Sequence, residues 1–517
     1  MNVNINNNYV IEVKISIEEK VDNQVEFEPK RNSNGNFRLV ISKSEAESID
    51  QIEKAVLRTS FPAIRDAVSN HLTDLSLKKA LIVKEENDTL EINEKEYKID
   101  GEIGRFYFNT HRILRSNSEH YNTSKDFFPV LKGKEFYKTI GFKEIAIVDG
   151  VTQSSYRKTC KRINRIRYQE SKDGTPLRTL QNTTELEGKK LLRWIDHKAE
   201  EILSENKEII TEQKNQDSSE EAIMLLPEEE VKIAINECKS QLDERGIIEG
   251  ICLSENNIPY EDPEYTVNIS DDDVKVKKQK EKRVSSIQKN NNNEEKKRKY
   301  LLDTLIHVEK LDKKYILVGH GIKNVLNILI AFLLNSNELG SRFQFFTDGH
   351  NVLNKAINEC FSWYKNIAII LDWYHLSKKC KERLSMGLKG RKIRNEVLRQ
   401  IMPLLWNGLT EQAIIYLQNM DVKLIKNKIH ISKLIDYLER NNCYIPCYSV
   451  RKKLGLRNSS NIGEKMNDMI ISERQKHNGM SWSKYGSISL AGLTSLIRNN
   501  ESKKWFADDY LEFKLAA

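Results

Sequence analysis

Four acidic positions in the second half of the chain have the residue types and spacing for phosphodiester chemistry. Asp348 follows the strand-like run RFQFFT, and Asp372 follows NIAIIL, so two successive strands are each predicted to lead to an aspartate. The acidic run SDDD (270–273) ends the strand-like YTVNIS, and Glu464 lies near the start of a later helical pattern. Carboxylates that converge on Mg²⁺ serve phosphoryl transfer, because the ions stabilise the attacking and leaving oxygens. The residues therefore predict a divalent-metal nuclease or phosphoryl transferase.

The order of the predicted elements brings these carboxylates to one sheet. Three strands come in quick succession, YTVNIS, KYLLDTLIHVE and KKYILVG, and two helix-strand pairs follow. Three antiparallel strands followed by alternating helices and parallel strands are the layout of a ribonuclease H-like fold, and strand ends are where such sheets place functional residues. The long stretch between Asp348 and Glu464 has repeated helical patterns, which predict an all-helical insertion before the glutamate helix.

The bulk composition indicates a multidomain protein with an affinity for polyanions. A chain of 517 residues predicts roughly three or four domains. The formal net charge is +8, and the segment from Lys275 to Lys299 alone holds eleven Lys or Arg against three Glu, so the excess is concentrated there. Such a basic segment suits nucleic acid. Seven scattered cysteines without a CxxC pair argue against a disulfide framework, and no signal-peptide or membrane-span pattern is present, so a cytoplasmic protein is expected.

A second candidate nucleic-acid element lies at 132–169. One helical pattern stops at Asp149-Gly150, and another begins after the cap candidates Ser154-Ser155, which outlines a helix-turn-helix. Tyr156, Cys160 and Ile163 recur at helical spacing, and the remaining faces are basic, which suits a DNA backbone or major groove although a solvated basic face is the alternative. The basic residues are Arg157, Lys158, Lys161, Arg162 and Arg165.

The predicted fold class is α/β, multidomain and α+β overall. A ribonuclease H-like mixed-sheet core with an all-helical insertion is preceded by a helix-turn-helix-like region and an N-terminal α+β region. The predicted boundaries are 1–130 for the N-terminal region, whose role the sequence leaves open, 131–203 for the DNA-binding region, 204–254 for a linker and connecting helix, 255–375 for the first part of the core, 376–455 for the insertion and 456–517 for the glutamate helix and C-terminus.

Three motifs in this order resemble the bacterial insertion-sequence transposases of the Asp-Asp-Glu type, with a Mutator-like layout. The resemblance covers roughly residues 265–500 and rests on DDDVKVKKQKEKR, on FFTDGHNVLNKAI followed by ILDWYHLSKKC, and on IGEKMNDMIISERQKHNGMSWSKYG. It implies a catalytic and metal-binding triad of Asp272, Asp348 and Glu464. Asp271 and Asp273 remain alternatives, since strand alternation places Asp271 on one face with Val267 and Ile269.

The resemblance also implies accessory residues around the triad. Asp372 and His375 correspond to an accessory Asp/Cys-x-x-His element, although an aspartate there could instead cap the following helix. Arg474 and Lys476 follow Glu464 on its helix and could face the scissile phosphate. Further predicted DNA contacts are Lys277, Lys278, Lys280 and Trp482, and for the tryptophan a core position is the alternative to base stacking.

These features imply a DNA transposase that binds element ends, hydrolyses a phosphodiester and transfers the freed 3′-hydroxyl strand. Two Mg²⁺ or Mn²⁺ ions are the expected cofactors. Double-stranded DNA is the expected partner, with at least a dimer on DNA and no membrane. The alternatives are a transposase-derived DNA-binding protein that has lost catalysis, and a ribonuclease H-like nuclease acting on RNA or hybrid duplexes.

Overall fold

The computed structural model describes residues 30–31, 37–38, 48–85, 91–114, 120–121, 128–131, 136–169, 173–213, 225–244, 260–279, 300–477 and 480–515. The side chains of Asp272, Asp273 and Glu464 lie outside this description, as do Lys280 and the rest of the basic segment up to residue 299. The chain forms two compact units, Met1–Thr184 with Lys503–Tyr510, and Glu185–Ser502 with Leu511–Ala517. The predicted division into six parts remains a prediction.

The first unit contains a long helix and a four-stranded sheet. Helix α1 (Ile49–Glu85) packs against the sheet, whose order is β5-β4-β3-β6 and in which only β3 and β6 pair in parallel. Alternating apolar residues of the central strands, such as Tyr97 and Phe108, fill the core between sheet and helix. The strands are β1 (Lys30–Arg31) and β2 (Phe37–Arg38), which form a separate pair, then β3 (Glu91–Gly101), β4 (Gly104–Leu114), β5 (His120–Tyr121) and β6 (Phe136–Lys138).

Two short helices follow in this unit and correspond to the helix-turn-helix outline. The predicted stop at Asp149-Gly150 is wrong by two residues: helix α2 (Ile140–Thr152) runs through Gly150, which is buried and where even a Cβ would make only ordinary contacts with Thr184 and Tyr156. Helix α3 (Tyr156–Ile166) begins after Ser155, whose hydroxyl accepts a hydrogen bond from the Lys158 backbone N–H as an N-cap. The cap and the start of the second helix are therefore confirmed.

The second unit is built on a five-stranded mixed sheet of order β11-β10-β7-β8-β9. Strands β7, β8 and β9 are antiparallel neighbours, and β10 and β11 run parallel to β7 on its other side. Their apolar runs are buried on both faces, as the near-continuous burial of β9 and β10 shows. The strands are β7 (Thr266–Lys277), β8 (Tyr300–Lys310), β9 (Lys313–Gly319), β10 (Arg342–Thr347) and β11 (Ile367–Leu371).

Helices connect and cover this sheet. The predicted helix after β9 is confirmed as α7 (Ile322–Asn335), in which nine residues between Val325 and Leu334 are buried. The other helices outside the insertion are α4 (Leu177–Glu205), α5 (Lys207–Gln213), α6 (Glu228–Glu244), α7 (Ile322–Asn335) and α8 (Asn351–Cys360). None of the described helices combines the length and apolar composition that crossing a membrane requires.

The insertion after β11 is helical and has its own core. Buried residues from all of its long helices, including Leu384, Ile401 and Leu434, form one cluster with Ile370 and Leu371 of β11. Its helices are α9 (Trp373–Gly387), α10 (Arg391–Trp406), α11 (Thr410–Gln418), α12 (Lys428–Asn441) and α13 (Tyr448–Lys453). The repeated helical patterns read from the sequence are therefore confirmed as helices.

The chain then returns to the sheet. Helix α14 (Asn461–Asn467) continues directly as a π-helix, Asp468–Lys476, which the sequence did not predict. Helix α15 (Lys484–Arg498) packs against β8 and β9, and α16 (Ser502–Asp508) follows. A nine-residue π segment is rare, and such segments occur frequently at functional sites.

Candidate active site

The parallel pairing of β7, β10 and β11 ends at one edge of the second unit's sheet. Pairing between β7 and β10 ends at Ser270 opposite Phe346, and pairing between β10 and β11 ends at Thr347 opposite Leu371. The next residues along the three strands are therefore Asp271–Asp273, Asp348 and Asp372. Asp348 and Asp372 thus follow the ends of their strands as predicted. The prediction that the acidic run ends its strand is wrong, because β7 continues to Lys277 as the antiparallel partner of β8 and Asp271–Asp273 lie within it.

Asp348 is exposed on a loop whose backbone is fixed. Its Oδ1 accepts a hydrogen bond from the His350 N–H at 2.8 Å, and its backbone carbonyl accepts one from the Tyr437 hydroxyl at 3.0 Å. Gly349 has a φ of +76°, and a Cβ there would lie 2.8 Å from Leu371 Cδ1, so only glycine fits the turn. The loop therefore holds the Asp348 carboxylate in a defined position while solvent can reach it.

Asp372 is fully buried and both of its carboxylate oxygens are bonded. Oδ1 accepts the His375 backbone N–H at 3.1 Å and caps helix α9. Oδ2 accepts two hydrogen bonds from Ser460, one from its backbone N–H and one from its hydroxyl at 2.5 Å. This geometry agrees with the capping alternative, because the enclosed carboxylate is held by three hydrogen bonds from His375 and Ser460 and is not directed at a substrate.

The glutamate helix α14 lies directly on strand β7. A Cβ added to Gly463 would lie 2.8 Å from Ser270 Cβ, so the two backbones approach as closely as they do only because residue 463 is glycine. Glu464 is the next residue of this helix. The backbone of the predicted third carboxylate is therefore brought beside the start of the acidic run, about 190 residues away in sequence.

The cross-strand register bears on which of the three aspartates faces this helix. Ser270 pairs with His307, and position 272 pairs with Leu305. Residues two apart on a strand share a face, so position 272 belongs to the face of Ser270 on which α14 lies. Positions 271 and 273 alternate to the other face. The register places position 272 on the face of Ser270, whereas Asp271 lines the pocket beside α14, so Asp271, Asp272 and Asp273 all remain candidates.

A small pocket lies where α14 meets the sheet, and two buried titratable residues near it were missed in the sequence. His307 is 3% exposed, and burial lowers its pKa to about 4, with Glu309 acting in the opposite direction. Burial raises the pKa of Asp303 to about 6, and a hydrogen bond from the Ser487 hydroxyl partly counteracts this. In the sequence, the only signal for these two residues was that Asp303 and His307 interrupt the apolar run KYLLDTLIHVE. The pocket is lined by Asp271, His307, His375, Ser460, Met466 and Asn467, beside Ser270 and Gly463.

The residues predicted after Glu464 differ in exposure. Arg474 is 3% exposed and its guanidinium lies 5.2 Å from the Trp482 ring centre, whereas Lys476 is exposed at the end of the π-helix. Trp482 is buried, donates its indole N–H to the Gln475 carbonyl at 3.2 Å, and joins strand β7 through a backbone bond to the Lys277 carbonyl. These contacts agree with the core alternative for Trp482 and place Arg474 inside the same packing.

Of the remaining predicted DNA contacts, all but Lys278 are exposed where they are described. In the first unit, Arg162 lies 3.4 Å from the Asp149 carboxylate, and Ile163 on the opposite face is buried with Phe142. Helix α3 therefore has the two faces that the sequence predicted. Its exposed basic residues are Arg157, Lys158, Lys161, Arg162 and Arg165, and in the second unit Lys277 is exposed and Lys278 is half-buried.

The donor set at the strand edge fits a hard divalent cation. Asp348 offers a solvent-accessible carboxylate, and the neighbouring positions of β7 and α14 are Asp and Glu, which are the ligands that Mg²⁺ prefers. Within the described side chains no cluster of three or more His, Cys, Asp or Glu could hold a metal ion. That search did not include the side chains of Asp272 and Glu464, two of the three predicted ligands.

Comparisons with known proteins add no assignment. Neither a protein-family model, nor a curated protein, nor a solved structure matches the chain.

Proposed function

We propose that the protein is a metal-dependent polynucleotidyl transferase acting on DNA, of the Asp-Asp-Glu transposase type. The observation that carries the proposal is the close approach of Gly463 to Ser270, which brings residue 464 to the strand edge where Asp271–Asp273 and Asp348 lie. The strand layout supports it, because three antiparallel strands followed by two parallel strands after helices are typical of a ribonuclease H-like core.

In this proposal Asp272, Asp348 and Glu464 hold Mg²⁺ or Mn²⁺, and two bound ions would neutralise charge that develops on the phosphate oxygens. The chain itself contributes positioning. The Gly349 turn and the Tyr437 hydrogen bond fix the loop of Asp348, and the Asp372–Ser460 hydrogen bonds fix the start of α14. Ligands held in place in this way need little rearrangement when the metal and the reacting phosphate bind.

The reaction proposed is hydrolysis of a phosphodiester at an element end, followed by in-line attack of the freed 3′-hydroxyl on target DNA. Exposed cations of α3 and of the segment 275–299 would bind the phosphate backbone on either side. Two element ends must be held together for strand transfer, so the active form would be at least a dimer.

The test is cleavage of a labelled duplex that carries the DNA flanking this gene, with Mg²⁺ or Mn²⁺, for the native protein beside Glu464→Gln. We expect nicking at the element boundary that requires the metal and falls by at least about 100-fold in the variant. Glu473→Gln, which removes an exposed carboxylate from the same helical segment, is the matched control and should cleave normally.

The alternatives give distinct results in the same assay. Tight binding without cleavage under any metal would favour a transposase-derived DNA-binding protein. Preferential cleavage of RNA or hybrid duplexes would favour a ribonuclease H-like nuclease.

A further inference from the structure

One end of the helical insertion brings two segments of the chain together through their backbones. The turn between α9 and α10 pairs with the segment before α12, since Lys389 N–H donates to the Leu424 carbonyl at 3.0 Å and Lys426 N–H donates to the Gly387 carbonyl at 2.7 Å. Leu388 and Ile425 form an antiparallel bridge at the same place. The residues on these two segments therefore occupy one small surface, which we call the insertion tip.

The insertion tip is strongly cationic. Its segments, 384–395 and 421–430, contain a single carboxylate, Asp421, whose Oδ1 accepts the backbone N–H of Lys423 at 2.8 Å. Arg394 is occupied by Asn395 and Ser385. Six further cations are exposed and have no ion pair within the described part of the chain, namely Lys389, Arg391, Lys392, Lys423, Lys426 and Lys428.

Several other cations of this unit form ion pairs with carboxylates. Lys310 binds Glu338, Arg399 binds Glu396, and Lys453 binds Glu237, each at 2.8 Å or less. At the insertion tip six charged side chains accompany a single carboxylate, Asp421, which offsets only a small part of their mutual repulsion. Such a cluster binds an external polyanion by releasing its counterions, which is the main source of protein affinity for duplex DNA.

The insertion tip is also rigid and set apart from the strand edge. The turn is anchored by buried Leu384, Leu388 and Ile431 in the core of the insertion. Helix α9 has 15 residues and starts beside Asp372, so at 1.5 Å per residue its far end lies about 22 Å from the strand edge. That distance corresponds to roughly six or seven base pairs of duplex at 3.4 Å each.

We propose that the insertion tip binds the phosphate backbone of duplex DNA six or seven base pairs from the reacting phosphate. This inference rests on the proposed function, which supplies the reacting phosphate at the strand edge. Met386, Val422 and Ile429 are exposed among the cations, so an anionic membrane is the partner that the test must separate from DNA.

The test measures binding of a 30-base-pair duplex by fluorescence anisotropy over a range of salt concentrations. The tip variant replaces Lys389, Arg391, Lys392 and Lys426 with glutamine. A matched control replaces four exposed cations elsewhere in the unit, Lys207, Lys313, Lys452 and Arg498. Both sets of side chains are on the surface, and coincident urea midpoints with the native protein would verify that neither variant is destabilised.

We expect the tip variant to bind at least about tenfold more weakly than the control at 0.15 M salt, with a salt slope shallower by about three to four if all four cations contact phosphate. A hairpin-capped duplex that extends only about five base pairs beyond the cleavage point is too short to reach the tip. The tip variant and the control should therefore bind this duplex equally.

Three outcomes would overturn the inference. Equal duplex binding by the tip variant and the control would show that the tip does not bind DNA. In that case, cleavage by the native protein would still support the proposed function. Binding to phosphatidylserine vesicles that depends on the tip, without duplex binding, would identify a membrane partner. A native protein that does not bind duplex at all would also exclude the inference. Conversely, tip-dependent DNA binding without cleavage would sustain the inference and reject the proposed catalysis.

Discussion

The ends of strands β10 and β11 carry the same sequence signal and reach opposite structural situations. Both strands are short apolar runs that lead to an aspartate and then a helix. Asp348 is exposed and one of its oxygens binds only the N–H of His350, whereas Asp372 is buried and its two oxygens bind the start of α9 and Ser460. A strand-end aspartate is therefore a metal ligand candidate in one case and a structural bridge in the other.

The difference comes from a distant part of the chain. Ser460 lies 88 residues after Asp372 and encloses its carboxylate, and no described residue encloses Asp348 in this way. The bridge also fixes where α14 begins, so the buried aspartate positions the helix of Glu464 without being directed at a substrate. One strand end therefore exposes its carboxylate to solvent, and the other uses its carboxylate to hold the start of α14 in place.

The largest expected effect separates the two aspartates by stability. Asp372→Ala should lower the free energy of unfolding by about 4 kcal/mol, because it leaves the Ser460 N–H and hydroxyl and the first turn of α9 without their buried acceptor. Asp348→Ala should change it by less than about 1 kcal/mol, because the side chain is exposed. Urea denaturation of both variants measures this, and equal destabilisation would contradict the distinction.

The second prediction concerns a third carboxylate, Asp303, which is buried like Asp372 but has its pKa raised from 3.8 to about 6 by burial. The folded protein therefore holds this proton more tightly than the unfolded chain, so the stabilisation is complete below pH 3.8 and is lost as the pH rises through about 6. The loss is about 3 kcal/mol.

Asp303→Asn should remove this dependence. The difference in unfolding free energy between native protein and variant should shift by about 3 kcal/mol in favour of the variant between about pH 3 and pH 7. His307, whose lowered pKa acts in the opposite direction over the same range, is present in both proteins and cancels in the difference. A difference that is constant with pH would show that folding does not raise the pKa of Asp303.

A smaller effect isolates the bridge itself. Ser460→Ala removes one hydroxyl bond to the Asp372 carboxylate and keeps the backbone bond, so we expect a loss of about 2 kcal/mol, within the range for bonds to charged groups. Cleavage should fall at the same time if the bridge positions α14. Unchanged cleavage with lowered stability would separate the bridge from the site.

The smallest effect sharpens the assignment of Trp482 to the core. Trp482→Phe keeps an aromatic ring and removes the indole N–H bond to the Gln475 carbonyl, so stability should fall by about 1 kcal/mol. Duplex affinity should remain within twofold of the native value. A tenfold loss of affinity at unchanged stability would instead indicate base stacking.

Much of the fold was predictable because its signals are local. The strands that lead to Asp348 and Asp372, the buried helix α7, the four insertion helices and the Ser155 cap follow from apolar periodicity and capping preferences. The π-helix after α14 was not predictable, since its apolar pattern also fits an α-helix and the extra residue per turn is imposed by packing.

The sequence by itself determined which residue types follow each strand and where the helices begin, because these depend on neighbours along the chain. Only the tertiary structure decided which carboxylates are open, that Gly463 seats α14 on Ser270, and that His307 and Asp303 are buried beside the same face. Those facts depend on contacts between residues far apart in the chain, and burial and hydrogen bonding there set the chemistry of each group.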